Sequence, residues 1–170
     1  MVKLTPQQII EHLNLEPLLP EGGYFRRSYS SADVLPVSGL PERYHSDKRA
    51  GTAIYYLLTS EPDSFSALHR LPTDEVYHFY LGDPVELLLL TPDGKAQTVM
   101  LGEELLSGQH VQFVVPGGVW QGSRLLPGGE FALMGTTMAP GYEQRDFRLG
   151  DPGMLIERWP EHEELIRRLA

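Results

Sequence analysis

Apolar and polar positions alternate with a period of two along the middle of the chain. A helical period shows only near its two ends. At the start, Thr5, Pro6 and Gln8 have the pattern of a capping box with proline in the first turn. Ile9, Ile10 and Leu13 continue it as one apolar stripe, which predicts a helix over about 5–13. At the other end, Leu165, Ile166 and Leu169, with Glu163–Arg167 and Glu164–Arg168 at i,i+4 spacing, predict a helix over 160–169. Between them, runs at 24–30, 52–59, 64–71, 75–81, 85–91, 96–101, 110–115, 119–125 and 130–138 read as strands, separated by Gly/Pro/Asp turns. The four consecutive leucines Leu87–Leu90 predict a strand covered on both faces. Residues 31–50 have little periodicity and read as a long loop, a lid or a partner-contact segment.

Nine or ten short strands with no βαβ alternation predict an all-β sandwich or barrel. A length of 170 residues suits one domain spanning 1–170, with a core over about 20–150. Hydrophobic content of 41% and charged content of 22% are ordinary for a globular protein. The net charge of −9 argues against a nucleic-acid partner and against docking on an anionic membrane. The absence of cysteine excludes disulfides, thiolate metal sites and cysteine nucleophiles. No apolar run approaches a membrane span, and the first ten residues lack a signal-peptide core, so a cytoplasmic location is expected.

Candidate chemistry concentrates in 65–82, FSALHRLPTDEVYHFYLG. Polar groups inside otherwise buried strands cost free energy unless paired or used. Strand parity places Phe65, Ala67 and His69 on one face, and Glu75, Tyr77 and Phe79 on one face of the next strand. His78 then points away with Val76 and Tyr80. His69 reads as a general base, a weak metal ligand, a ligand hydrogen-bonder or a structural histidine. Glu75 reads as its inward partner or as a cap on the Pro72 corner. Gln121 shares a face with Ser123, both suited to hydrogen-bonding a polar ligand. Trp120 and Phe79 read as packing residues, and His78 as hydrogen-bonded in the sheet or at a subunit contact. Arg26 and Arg27 face opposite sides of their strand, and one of them suits an anionic ligand. Asp146 could orient a histidine or cap a turn. His12, His45, His110 and His162 read as surface residues.

These residues resemble the cupin superfamily. His69 followed by Glu75, then six residues to Gly82, is similar to the first cupin motif; Gly108 with Pro116-Gly117-Gly118 and Gln121 is similar to the second. The segments PEGGYFRRSYSS, TAIYYLLT, FSALHRLPTDEVYHFYLGDPVELLLL, VVPGGVWQGSRL and APGYEQRDFRLG look like the cupin-5 type, a domain of unknown function. The resemblance implies a double-stranded β-helix, the jelly-roll barrel, with short N- and C-terminal helices. It departs from the metal-binding pattern, with one first-motif histidine and Gln121 in place of the second-motif histidine.

The resemblance extends in fold to deoxysugar epimerases, which work without metal. The function it implies is small-molecule binding, with metal-independent sugar-nucleotide epimerisation or isomerisation. His69, Glu75 and Tyr77 are the candidate catalytic residues, and Arg26, Gln121 and Ser123 the ligand-binding ones. The ligand expected is anionic or sugar-like. The alternatives are a non-catalytic ligand-binding or sensor cupin, and a metal-dependent enzyme with a weakly bound divalent ion on His69, Glu75 and Gln121. No cofactor is expected under the first reading. A homodimer or higher homo-oligomer is expected, because the aromatic strands at 24–29 and 52–59 offer more apolar surface than one barrel needs.

Overall fold

The computed structural model describes residues 4–170, so the first three residues of the expected 1–170 domain lie outside the described residues. Helix α1 (Pro6–Leu13) starts at the reciprocal Thr5–Gln8 capping box, and Asn14 ends it in the left-handed conformation. The strands follow in order: β1 (Glu16–Pro17), β2 (Tyr24–Ser30), β3 (Val34–Leu35), β4 (Lys48–Arg49), β5 (Thr52–Thr59), β6 (Phe65–Arg70) and β7 (Glu75–Gly82). After these come β8 (Val85–Leu90), β9 (Ala96–Leu101), β10 (Gln112–Val115), β11 (Trp120–Leu125), β12 (Phe131–Met138) and β13 (Arg148–Leu149). Helices α2 (Pro152–Arg158) and α3 (Glu163–Arg168) close the chain, with a 3-10 turn at Pro160–His162 between them.

Two antiparallel sheets face each other. One has the order β1-β2-β5-β12-β7-β10 and the other β13-β6-β11-β8-β9. Their inner faces share one core, in which Tyr56, Leu58, Tyr77, Phe79 and Met134 meet Val85, Leu87, Leu89 and Val99. This is the expected all-β jelly roll, and the period-2 alternation builds it by sending every second side chain inward.

The four-leucine run behaves as its composition predicts. Leu87 and Leu89 face the inner core, while Leu88 and Leu90 face outward under α2 and α3, packed with Trp120, Leu155, Trp159 and Ile166. On the other side, Ile9 of α1 covers Leu57, Phe131 and Leu133 on the outside of the larger sheet. Elsewhere that sheet leaves Tyr29, Tyr80 and Val114 exposed. Helix α2 was not anticipated, although Asp151 caps it and Pro152 opens it.

Residues 31–50 hold two short strands and are anchored by contacts that include those of Lys48 and Tyr44. Lys48, fully buried, pairs with Asp146. The Tyr44 hydroxyl lies 2.9 Å from Thr73 Oγ1. Among the described residues no helix is long and apolar enough to cross a membrane.

Leu87 has no exposed surface, whereas Leu106 is fully exposed. Leu87→Ala should lower the unfolding free energy by about 2–5 kcal/mol, and Leu106→Ala should change it by less than about 0.5 kcal/mol. Urea unfolding of both variants checks the assignment of the core.

Candidate functional site

A cavity of about 130 Å³ opens between the two sheets. Leu18, Phe25, Ile54, Leu71 and Met138 form its apolar walls. Glu21, His69, Glu75 and Tyr77 are its charged and polar end, with Arg27, Thr136 and Tyr142 on the remaining sides. A mostly apolar hollow with a few convergent polar groups is the usual form of a small-molecule site.

His69 reaches this cavity through a break in strand parity. In the β6–β11 ladder, Gln121 pairs with His69 but Ser123 pairs with Ser66, so one extra residue of β6 is bulged out. Strict alternation predicted Phe65, Ala67 and His69 on one face. Instead Phe65 and Leu68 pack outward with Trp120, while Ser66 and His69 serve the polar end. Gly122 sits opposite the bulge, where a Cβ would come within 3.0 Å of the Leu68 side chain and the Ser66 carbonyl.

The bulge also brings in Glu21, which stands just before the Gly22-Gly23 pair and is not among the residues singled out from the sequence. The Ala67 N–H donates to the Glu21 carbonyl at 2.7 Å. Gly22 and Gly23, at φ 105° and 68°, turn the chain back beside it, a conformation that favours glycine. Tyr56 donates its hydroxyl to the Gly22 carbonyl at 3.0 Å. Ser66 Oγ donates to Glu21 Oε1 at 2.8 Å, which fixes the carboxylate itself. The available signal was an acidic residue immediately before a Gly-Gly pair.

His69 therefore lies between two carboxylates. Its Nδ1 is 4.0 Å from Glu21 Oε1 and its Nε2 is 3.9 Å from Glu75 Oε2. Both separations exceed a direct hydrogen bond, so the attraction is through space. Nδ1 donates to the Ala67 carbonyl at 2.8 Å, and the ring stacks on Phe147 at 5.1 Å. Burial pushes the imidazole pKa down, but the Glu21 and Glu75 charges and the Ala67 carbonyl outweigh it and raise it to about 9. A pKa of about 9 favours the imidazolium form of His69 at neutral pH, an acid and a hydrogen-bond donor.

Burial raises the Glu21 carboxyl above its ordinary range. His69 draws it back, Glu75 opposes that, and the Ser66 hydroxyl draws it back further. Burial also holds the Tyr77 phenol well above 10 and the Tyr142 phenol at about 12, with both carboxylates adding to each. These phenols are donors throughout the physiological range.

Of the other candidates, Glu75 and Tyr77 face inward and line the cavity. Gln121 and Ser123 face the same interior but lie outside the cavity wall. Gln121 Nε2 donates to Glu75 Oε2 at 2.7 Å, so it positions the carboxylate from behind. Gln121 Oε1 and Ser123 Oγ are buried without a hydrogen-bond partner in the structure. Arg26 is a correction: it lies over Tyr55 at 5.6 Å, and Arg27 is the arginine that lines the cavity. The register decides this, because Arg27 is opposite inward-facing Ile54 and Arg26 opposite Tyr55 on the outer face. His78 points away and contacts Thr137 Oγ1 at 3.0 Å. Asp146 neither orients a histidine nor caps a turn through its side chain; it pairs with Lys48.

The fold implies a metal in many of its members, and His69, Glu75 and Gln121 do not suit one. The Gln121 amide must present its NH2 group to Glu75, which turns its oxygen away from any ion shared with that carboxylate. His69 would have to lose a proton held to about pH 9. Among the described residues no group of three or more His, Cys, Asp or Glu side chains is arranged to hold an ion.

Comparison with known proteins agrees with this architecture. Residues 7–150 match the Cupin_5 family model, described as cupin superfamily (DUF985). The chain is 33% identical over 134 residues to the uncharacterized protein YML079W of Saccharomyces cerevisiae, spanning 74% of this chain and 66% of the yeast protein. That is just under two thirds of the yeast protein's length. A hypothetical protein from Leishmania major has a solved structure that superposes with a TM-score of 0.86 at 31% identity, covering 98% of this chain and 99% of that one. Protein SO0799 from Shewanella oneidensis gives a TM-score of 0.85 at 31% identity, covering 99% and 98%.

Since the folded pKa of His69, about 9, exceeds the unfolded 6.5, its stabilising contribution is complete below about pH 6.5 and is lost as pH rises through 9. Unfolding free energy should fall across that window. NMR titration should place the His69 midpoint near 9 and move it lower in Glu21→Gln, which removes a carboxylate that holds the proton.

Proposed function

The chain belongs to the Cupin_5 (DUF985) family of the cupin superfamily, and on that premise we propose that its cavity binds a small sugar-like molecule and transfers a proton on it without a metal. The observation that carries this reading is the convergence of one histidine and two carboxylates on a cavity whose other walls are largely apolar, with Arg27, Thr136 and Tyr142 among them. Carboxylates accept hydrogen bonds from ring hydroxyls, and the apolar walls suit the faces of a pyranose or furanose ring.

The roles follow from protonation. Glu21 is the base, because its raised pKa makes it a better proton acceptor than an ordinary carboxylate. His69 is the electrophile that stabilises negative charge developing on a carbonyl oxygen when a neighbouring C–H proton leaves. Tyr77 supplies a hydroxyl donor, and Glu75, held by Gln121, keeps His69 charged. Arg27 can donate hydrogen bonds to oxygens of the ligand's ring. A base beside a positively charged donor suits an epimerase or isomerase.

A thermal-shift screen of sugars and sugar nucleotides identifies the ligand. A compound at one hundred times its Kd should stabilise the protein by about 2.7 kcal/mol. Incubation of that compound with the protein in deuterium oxide should exchange a carbon-bound proton, and Glu21→Gln should slow the exchange by about 10²–10⁴-fold. Stabilisation without exchange assigns a binding or sensor role instead. Full exchange in Glu21→Gln removes Glu21 from the chemistry.

A further inference from the structure

Beside the cavity, Arg43, Arg70, Arg145 and Arg148 line one surface groove together with His45. Four of the chain's 14 basic residues thus meet in one place on a protein of net charge −9. The only acidic residue in the groove wall, Asp146, is already neutralised by buried Lys48. Among the described residues none of the four arginines forms an ion pair.

The cluster is also held in place. The Arg70 guanidinium lies 4.7 Å from the centroid of the Trp120 ring, and that of Arg43 lies 4.8 Å from the Tyr44 ring. Tyr44 is itself buried and bonded to Thr73. Arg148 Nη1 donates to the carbonyls of Arg145 and Phe147, at 2.7 and 2.9 Å. Arg70 and Arg148 stand directly opposite each other in the β6–β13 ladder, a placement of like charges that destabilises a sheet. An unbalanced cationic cluster fixed in this way is relieved when an anion enters it.

Its position relative to the cavity says which kind of anion. Leu71 lines both the groove and the cavity, and Gln144 in the cavity wall is followed directly by Arg145 in the groove. We propose that the groove is a phosphate subsite, taking the phosphate or diphosphate of a small molecule whose neutral part lies in the cavity. Guanidinium forks match phosphate oxygens in pairs, and several can share one diphosphate. The acidic balance of the chain as a whole disfavours extended polyanions and anionic membranes, and so favours a compact anion. The identity of the neutral part rests on the reading of the cavity given above; the anion site does not.

Isothermal titration of the full chain with inorganic pyrophosphate tests the groove alone. Binding should be one to one. Arg43→Ser and Arg145→Ser, both exposed positions, should each weaken it by about tenfold or more, while Arg167→Ser on the C-terminal helix should leave it unchanged. Pyrophosphate binding that persists when no sugar-like compound stabilises the protein would sink the cavity reading and sustain this one. No binding, or equal weakening by Arg167→Ser, would overturn the groove. Displacement of pyrophosphate by anionic lipid vesicles, through the same arginines, would transfer the site to a lipid headgroup and overturn the small-molecule assignment.

Discussion

A charged histidine enclosed by a β-barrel must have its charge balanced within a few ångströms, and most of the polar interior follows from that constraint. His69 is 1% exposed and has carboxylates 4.0 and 3.9 Å away on its two ring nitrogens. Each carboxylate has its own support, Ser66 for Glu21 and Gln121 for Glu75. Without that support a buried charge would shift its protonation state and the site would become neutral. The bulge in β6, the Gly22–Gly23 turn and Gly122 are the backbone features that let these side chains meet.

Two consequences follow for function. An imidazolium already charged at neutral pH is a poor proton acceptor, which is why the proposed base is a carboxylate. Glu21, raised in pKa and lining the cavity, is the proposed base, and Glu75, held by Gln121, is its counterpart on the other side of the ring. The same protonation works against a metal, since a histidine ligates through a neutral nitrogen. The cavity and the arginine groove share Leu71 in their walls, which is why the two proposed subsites are assigned to one ligand.

Much of the fold was legible because alternation and turn residues are local signals. The four leucines at 87–90 forecast a strand covered on both faces, and the capping box forecast α1. Periodicity fails where the backbone departs from regular pleating. The β6 bulge reversed the faces of Ser66 and Phe65, and Gly122 lies opposite it in the structure. Parity also assigns relative but not absolute faces, so it could separate Arg26 from Arg27 without choosing between them. Glu21 was invisible for a different reason: a turn residue has no periodic phase, and its role arises from contacts with Ser66, Ala67 and His69 more than forty positions away.

The polar interior depends on the charge on His69. Neutron diffraction from a crystal grown in deuterium oxide near pH 7 observes it directly. Deuterons are expected on both Nδ1 and Nε2 of His69, since the pKa is held at about 9. A single deuteron on the ring, with the other on Glu21 or Glu75, would contradict it and return His69 to the role of base.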